Sequence, residues 1–228
     1  MVYFIYFCRM ITLAEENYLK AILSISLNED GKVSTNSISQ EIGTSAASVS
    51  DMLKKLQDKK LIKYEKYKGV ELSKSGKSKA INILRKHRLW ETFLVNKLSF
   101  DWGEVHDVAE QLEHIRSEEL MDRLDAFLGF PQFDPHGEPI PTKDGNIPKS
   151  NTIPLNELKL GTKGKVMGVT LDETTFLDYL TKLNISIGTE IEVLETISFD
   201  QSLSIKIEQK TQHISSDVAK HLLIKTKN

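Results

Sequence analysis

Apolar residues recur along the first third of the chain in two rhythms. In TLAEENYLKAILSISL (12–27), Leu13, Tyr18, Leu19, Ile22 and Leu23 fall on one stripe, which predicts an amphipathic helix. Thr12 with Glu15 three residues on forms a capping box at its start. After the turn NEDGK, STNSISQEIG predicts a short helix with Ser34 or Thr35 as N-cap and Gly43 as its end. TSAASVSDMLKKLQDKKLI restarts at once with a Thr or Ser cap, and Val49, Leu53 and Leu56 mark its inner face. Two short helices across a tight glycine-containing turn signal a helix-turn-helix. The rhythm then changes to alternation in LIKYEKYKGVELS, which predicts a hairpin turning at Lys68-Gly69, where a winged helix-turn-helix carries its wing.

The helical period returns over 76–98 and 103–128, predicting two long helices joined by SFDWG. A connection that short makes them antiparallel neighbours. Leu89, Trp90, Phe93, Leu94 and Val95 spread over more than one face of the first, which predicts a dimer interface. The same helix carries His87 and Glu91 inside its apolar stripe, sharing a sector with Ala80, Ile83, Leu84, Leu94 and Leu98. A His and a Glu buried there must be paired, because burying either alone is costly. On the second helix His106, Glu110, Glu113 and His114 fall within an arc of about 100°. The stretch His87–His114 holds three of the six histidines. Imidazole with carboxylate suits Mn, Fe, Co, Ni or Zn, and no thiolate is at hand to demand a softer site. A solvated acidic face with one structural His–Glu pair is the competing reading.

All six prolines lie between Pro131 and Pro154, which predicts a linker with stiff extended pieces. His136 lies within it and reads as a turn residue rather than a ligand. Beyond it, GKVMGV, TEIEVLE, SLSIKIE and LLIK predict short strands, with a helix around Thr174 to Leu183. This is the composition of a small SH3-like barrel. No Gly-rich phosphate loop, nucleophile elbow or internal repeat is found.

Charge alters the picture of the first third. Net charge is −2, yet Asp51 to Arg88 holds thirteen Lys/Arg against four Asp/Glu. A basic segment on an otherwise acidic chain predicts a polyanion-binding surface. A helix fits the major groove, and its first turns reach base edges. Ser45, Ala46, Ala47, Ser48, Ser50 and Asp51 occupy those turns here. Lys54, Lys55, Lys63, Lys66 and Lys68 are candidates for phosphate contact. The single cysteine, Cys8, offers no intrachain disulfide and no cysteine-rich zinc site, as expected in a reducing cytoplasm. MVYFIYFC is too short to span a bilayer, and residues 1–10 read as a loose tail.

LRKHRLWE, VHDVAEQLEH and DPHGEPIP, following a winged helix-turn-helix at this spacing, resemble the diphtheria-toxin-repressor family of metal-dependent transcriptional repressors. The resemblance covers about residues 11–226 and is nearest the manganese transport regulators. It implies a mainly α chain with small β parts. Its winged helix-turn-helix would span 11–74 and a helical metal-binding and dimerisation domain 75–130. The linker would run over 131–154, and an SH3-like, FeoA-type barrel over 155–226. It further implies a cytoplasmic homodimer that grips double-stranded operator DNA when a divalent ion is bound, Mn²⁺ first and Fe²⁺ next, with no membrane part. One metal site would use His87, Glu91 and His106. The other would use Asn17, Glu110, Glu113 and His114, and Glu173 in LDETTF is the best match to a ligand from the third domain. Three departures stand out, the first being that the position of Glu110 is a Cys in the iron-responsive branch and a carboxylate in the manganese branch. Asn17 is neutral where the manganese branch has Asp and the iron branch Met, and Lys20 stands where the manganese branch has a carboxylate. The rival readings are a metal-free winged-helix regulator and a metal-dependent hydrolase built on the His/Glu set.

Overall fold

Helix α1 (Leu13–Asn28) begins with the anticipated box: the Thr12 backbone N–H donates to Glu15 Oε2 at 2.7 Å, and the Glu15 N–H to Thr12 Oγ1 at 3.2 Å. Two of the orphan donors of the first turn are thereby satisfied. Tyr18, Leu19, Ile22 and Leu23 are buried, but Leu13 is exposed, because the first turn precedes the core that covers the rest of the stripe. The structure is a computed structural model and describes residues 11–28, 33–65, 69–171 and 173–226. The expected tail, with Cys8, lies outside the described residues, as do Lys66 and Lys68.

Helix α2 (Thr35–Ile42) is capped by Ser34, which exchanges bonds with Ser37. It ends at Gly43, whose φ of +67° is the left-handed conformation a side chain resists. Helix α3 (Ala46–Asp58) restarts under Ser45, whose Oγ accepts from the Ser48 N–H at 3.2 Å. Val49, Leu53 and Leu56 are fully buried as anticipated, against Leu19, Ile22, Leu23 and Ile38. Strands β1 (Ile62–Glu65) and β2 (Gly69–Leu72) pair antiparallel, Ile62 opposite Leu72 and Glu65 opposite Gly69. The helix-turn-helix with its wing is therefore present.

Helix α4 (Lys74–Leu98) matches the first expected long helix. The second is two helices, α5 (Val105–Leu112) and α6 (Glu118–Phe127). The chain leaves the helix after Leu112 and restarts where Ser117 caps the Leu120 N–H at 3.2 Å. The single arc of His106, Glu110, Glu113 and His114 is thus corrected: Glu113 and His114 lie in the turn beyond the helix. Leu89, Trp90 and Leu94, expected to face a dimer partner, are already buried within the chain. The exposed large apolar side chains nearby are Leu98, Phe100, Leu120, Phe127 and Phe130.

The C-terminal third is a six-stranded antiparallel sheet of order β3-β8-β4-β5-β6-β7. The strands are β3 (Ile153–Pro154), β4 (Lys163–Val169), β5 (Glu190–Thr196), β6 (Leu203–Ile207), β7 (Lys210–Ile214) and β8 (Leu222–Thr226). Helix α7 (Thr174–Lys182) buries Leu177 and Leu180 on it, and α8 (Ser216–Ala219) precedes the last strand. All four expected strands form. Strand β7, KTQHI, escapes the sequence pattern, because only Ile214 of that strand is buried and the apolar alternation is too thin to register.

By contacts the chain forms two units. The first comprises the described part of Met1–Lys86 with Glu113–Arg116 and Pro141–Asn146. The second comprises His87–Leu112, Ser117–Ile140 and the described part of Ile147–Asn228. The proline-rich segment divides between them, and its first half is a packed turn rather than an extended linker. Asp134 Oδ1 accepts from the N–H groups of His136 (2.8 Å) and Glu138 (2.9 Å).

Candidate metal centre

In the second unit, α4 holds His87 and Glu91 one turn apart, both buried. Leu94 O accepts from Phe100 N and Asp101 Oδ1 accepts from Gly103 N, which turns the chain into α5. That turn delivers His106 to the same carboxylate. Glu91 Oε1 lies 3.0 Å from His87 Nε2 and 3.4 Å from His106 Nδ1. The two imidazoles meet edge to face at 4.7 Å. Two nitrogens and one oxygen converge, as expected.

A third imidazole joins them, one that the sequence does not single out as a ligand. His136 Nδ1 lies 3.7 Å from the other Glu91 oxygen, Oε2. Its Nε2 lies 2.7 Å from the Trp102 carbonyl. A carbonyl only accepts, so Nε2 carries the proton and Nδ1 faces Glu91. The turn holding His136 is pinned to the sheet: the Val169 N–H donates to the His136 carbonyl at 2.8 Å. Gly137, at φ +84°, packs so closely that a Cβ there would stand 1.8 Å from the Met167 carbonyl oxygen. Asp134 is fully buried beside His136 and pairs with Arg88, whose guanidinium also bonds Glu138 and the Pro139 carbonyl. Two sets therefore have ligand atoms within 4.8 Å of one another: His87, Glu91 and His106, and Glu91, Asp134 and His136.

Burial pushes the Glu91 carboxyl up, but the charge of His87 and bonds from His106, His136 and His87 outweigh it and hold it well below the usual range. Burial lowers His136, yet Glu91, Asp134 and the Trp102 carbonyl raise it to about 9. Burial, Glu91 and Glu138 raise Asp134 to about 7, against Arg88 and His136. In the metal-free protein, a proton on His136 supplies positive charge beside the carboxylate.

A pH dependence follows. The His136 pair contributes stability that is whole below its unfolded value near 6.5 and is lost as pH rises through about 9. Asp134 acts in the same direction, since a raised acid loses stability as pH climbs from 3.8 through about 7. Glu91 is depressed, so its contribution is present at neutral pH and lost on acidification. Metal-free protein is expected to lose up to about 3 kcal/mol between pH 6.5 and 9.5. His136→Phe should flatten that limb in urea titrations across the range. An unaltered slope in the variant would place the effect elsewhere.

The second expected set divides. Glu110 belongs to the second unit, half-exposed, its carboxylate 3.6 Å from His106 Nε2. Asn17, Glu113 and His114 belong to the first unit. Asn17 Oδ1 is buried and accepts no hydrogen bond among the described residues. Glu113 is 1% exposed, its Oε2 2.8 Å from Lys20 Nζ. His114 Nδ1 lies 2.6 Å from Glu16 Oε2, a partner the sequence does not signal, and His114 Nε2 is 4.0 Å from Glu113 Oε1. Carboxylate on one ring nitrogen leaves the other for a ligand, the usual arrangement around metal-binding histidines. Lys86 Nζ donates to the Ile115 carbonyl at 2.8 Å and holds this turn in place. The donor types are ones a divalent ion takes: a buried amide oxygen without a hydrogen bond among the described residues, a buried carboxylate and an oriented imidazole. Glu173 is exposed at the N-terminus of α7 and lies in neither convergent set.

On α3, Ser45, Ala46, Ala47 and Ser48 are exposed and Ser50 half-exposed. Ser45 serves as the cap, and Ser50 Oγ donates to the Ala46 carbonyl. Asp51 and Lys54 form an exposed pair at 3.0 Å, and Lys55 is exposed beside them.

Residues 10–70 match the family profile described as iron dependent repressor, N-terminal DNA binding domain. Residues 73–142 match its metal binding and dimerisation domain, and residues 153–226 match the FeoA domain. The chain is 30% identical over 191 residues to the diphtheria toxin repressor of Corynebacterium glutamicum, covering 78% of this chain and 82% of that protein. A manganese-dependent transcriptional repressor in complex with manganese superposes with a TM-score of 0.83 at 36% identity, over 93% of this chain and 100% of that one. ScaR with bound Zn²⁺ superposes with a TM-score of 0.75 at 29% identity, over 93% and 99%.

Proposed function

The chain belongs to the iron-dependent repressor family, and from that premise we propose that Mn²⁺, with Fe²⁺ next, switches its grip on double-stranded operator DNA. It is a metal-dependent DNA-binding transcriptional repressor. The observation that carries the switching reading is the orphan Asn17 amide oxygen. It sits on α1, whose Leu19, Ile22 and Leu23 form the helix-turn-helix core, in the same unit as Glu113 and His114. An ion held by Asn17, Glu113 and His114 would tie the 113–116 turn to the helix that supports the DNA-reading element. The ion supplies charge and coordination; the chain supplies the rigid helix that it acts upon. His87, Glu91 and His106 would hold a second ion, with His136 keeping Glu91 Oε2 engaged so that Oε1 faces the ligand nitrogens. The manganese preference rests on oxygen-rich donors and on the similarity to a repressor solved in complex with manganese.

The chain acts as a homodimer in this reading, its exposed Leu98, Phe100, Phe127 and Phe130 forming the shared surface. A repressor of operator DNA works in the cytoplasm. No helix among the described residues is long and apolar enough to cross a membrane. A hydrolase reading needs an open coordination position with a base and a substrate pocket, and nothing at the His/Glu clusters favours it.

The test is fluorescence anisotropy on duplex DNA from the protein's own promoter, with excess chelator and with Mn²⁺, Fe²⁺, Co²⁺ or Zn²⁺. Affinity should rise at least about a hundredfold with Mn²⁺. Equal affinity with chelator overturns the reading, and activation by Zn²⁺ ahead of Mn²⁺ overturns the choice of ion. Lys54→Ala should weaken binding to all sequences and lower the log–log salt slope by about 1, as loss of one phosphate contact does. An unchanged slope removes Lys54 from the phosphate contacts.

A further inference from the structure

Lys20 is a buried cation inside a set of metal donors. It is 9% exposed, lies on α1 with Glu16 and Asn17, and puts Nζ 2.8 Å from Glu113 Oε2. On a helix, positions 16, 17 and 20 share one face within about 100°. Glu113 presents its other oxygen, Oε1, to His114 Nε2 across 4.0 Å. An ion between that oxygen and that nitrogen would share a carboxylate with the ammonium. Both charges would be positive and only a few ångströms apart, away from the water that weakens such repulsion at a surface.

We propose that Lys20 is an internal competitor of the metal, a resident cation that stabilises Glu113 without an ion and raises the metal concentration needed to fill this site. The inference rests on the reading of Glu113 and His114 as metal ligands. Its consequence is a threshold set by one side chain. The ammonium contributes positive charge to a buried carboxylate and so favours the metal-free fold. A divalent ion then binds only by outcompeting it or by tolerating it nearby.

The experiment is calorimetric titration of Mn²⁺ into the full chain carrying His87→Ala, which removes the other centre, combined with K20Q, K20M or K20R. Glutamine retains a hydrogen-bond donor for Glu113. Methionine removes both charge and donor, and provides a second neutral variant should one fold poorly. Arginine retains the charge. One ion should bind per subunit with Lys20 in place. K20Q and K20M should bind it about tenfold more tightly or better, and K20R within about threefold of Lys20. Melting of the metal-free proteins should show K20Q less stable than Lys20, with a larger rise on adding Mn²⁺. Unchanged or weaker Mn²⁺ affinity in the neutral variants, with one ion still bound, overturns the role of Lys20 alone. No Mn²⁺ bound by any variant overturns both this inference and the second site beneath it.

Discussion

His114→Ala should abolish metal-activated operator binding, lowering affinity in saturating Mn²⁺ by about a hundredfold or more, to the level seen with chelator. His114 is the one nitrogen donor in the set with Asn17 and Glu113, and its orientation is already fixed by Glu16. Alanine leaves two oxygens and the Lys20 ammonium, a set that holds no transition ion well. The metal-free fold should survive, because what is lost is the contact with Glu16 and a 4.0 Å approach to Glu113. Glu16→Gln should do less, weakening Mn²⁺ about tenfold, as loss of an orienting partner does. Anisotropy on operator DNA and calorimetry with Mn²⁺ read the two effects separately. A His114→Ala protein that Mn²⁺ still activates fully would remove this site from the switch.

Glu91→Ala should have two effects that are usually separate. The carboxylate is 2% exposed and stands among three imidazoles at 3.0, 3.4 and 3.7 Å. Its removal leaves His136 buried with much of its compensating negative charge gone. Removing one partner from a buried charge cluster costs about 3–5 kcal/mol, so the metal-free protein should melt far lower. It should also lose one Mn²⁺ per subunit. Glu91→Gln keeps the shape and separates the contributions: bound metal should again be lost, with a smaller drop in melting temperature. Wild-type melting and metal content in Glu91→Ala would rule out this centre.

Which features are legible in the sequence depends on how far apart the interacting residues lie in it. Caps at Thr12, Ser34 and Ser45 and the stripe through Leu53 involve neighbours within a few positions, and local rules find them. His87 with Glu91 is one helical turn, so their burial inside an apolar stripe already requires a partner. The break after Leu112 is hidden because Glu113, His114 and Ile115 continue a plausible helical period. Beyond the break a lysine from α4, Lys86, bonds the Ile115 carbonyl, and Ser117 caps a fresh helix. His136 reads as a turn residue, and it is one. That the same turn also carries its ring to Glu91, far earlier in the chain, is a fact of packing that periodicity does not record. Glu16 stands in plain sight on α1, but its partner His114 is 98 residues away.

The seat of Gly137 on the sheet fixes an order of events as the chain is made. The turn that carries His136 is held by backbone contacts with Met167, Gly168 and Val169. Those residues leave the ribosome well after the turn itself. His87, Glu91 and His106 all precede that turn in the chain, but the ring that steadies Glu91 is locked only once β4 has been synthesised. In the proposed reading, a chain stopped short of Val169 would carry His87, Glu91 and His106 without that outer support, and should hold an ion there less tightly than the finished protein.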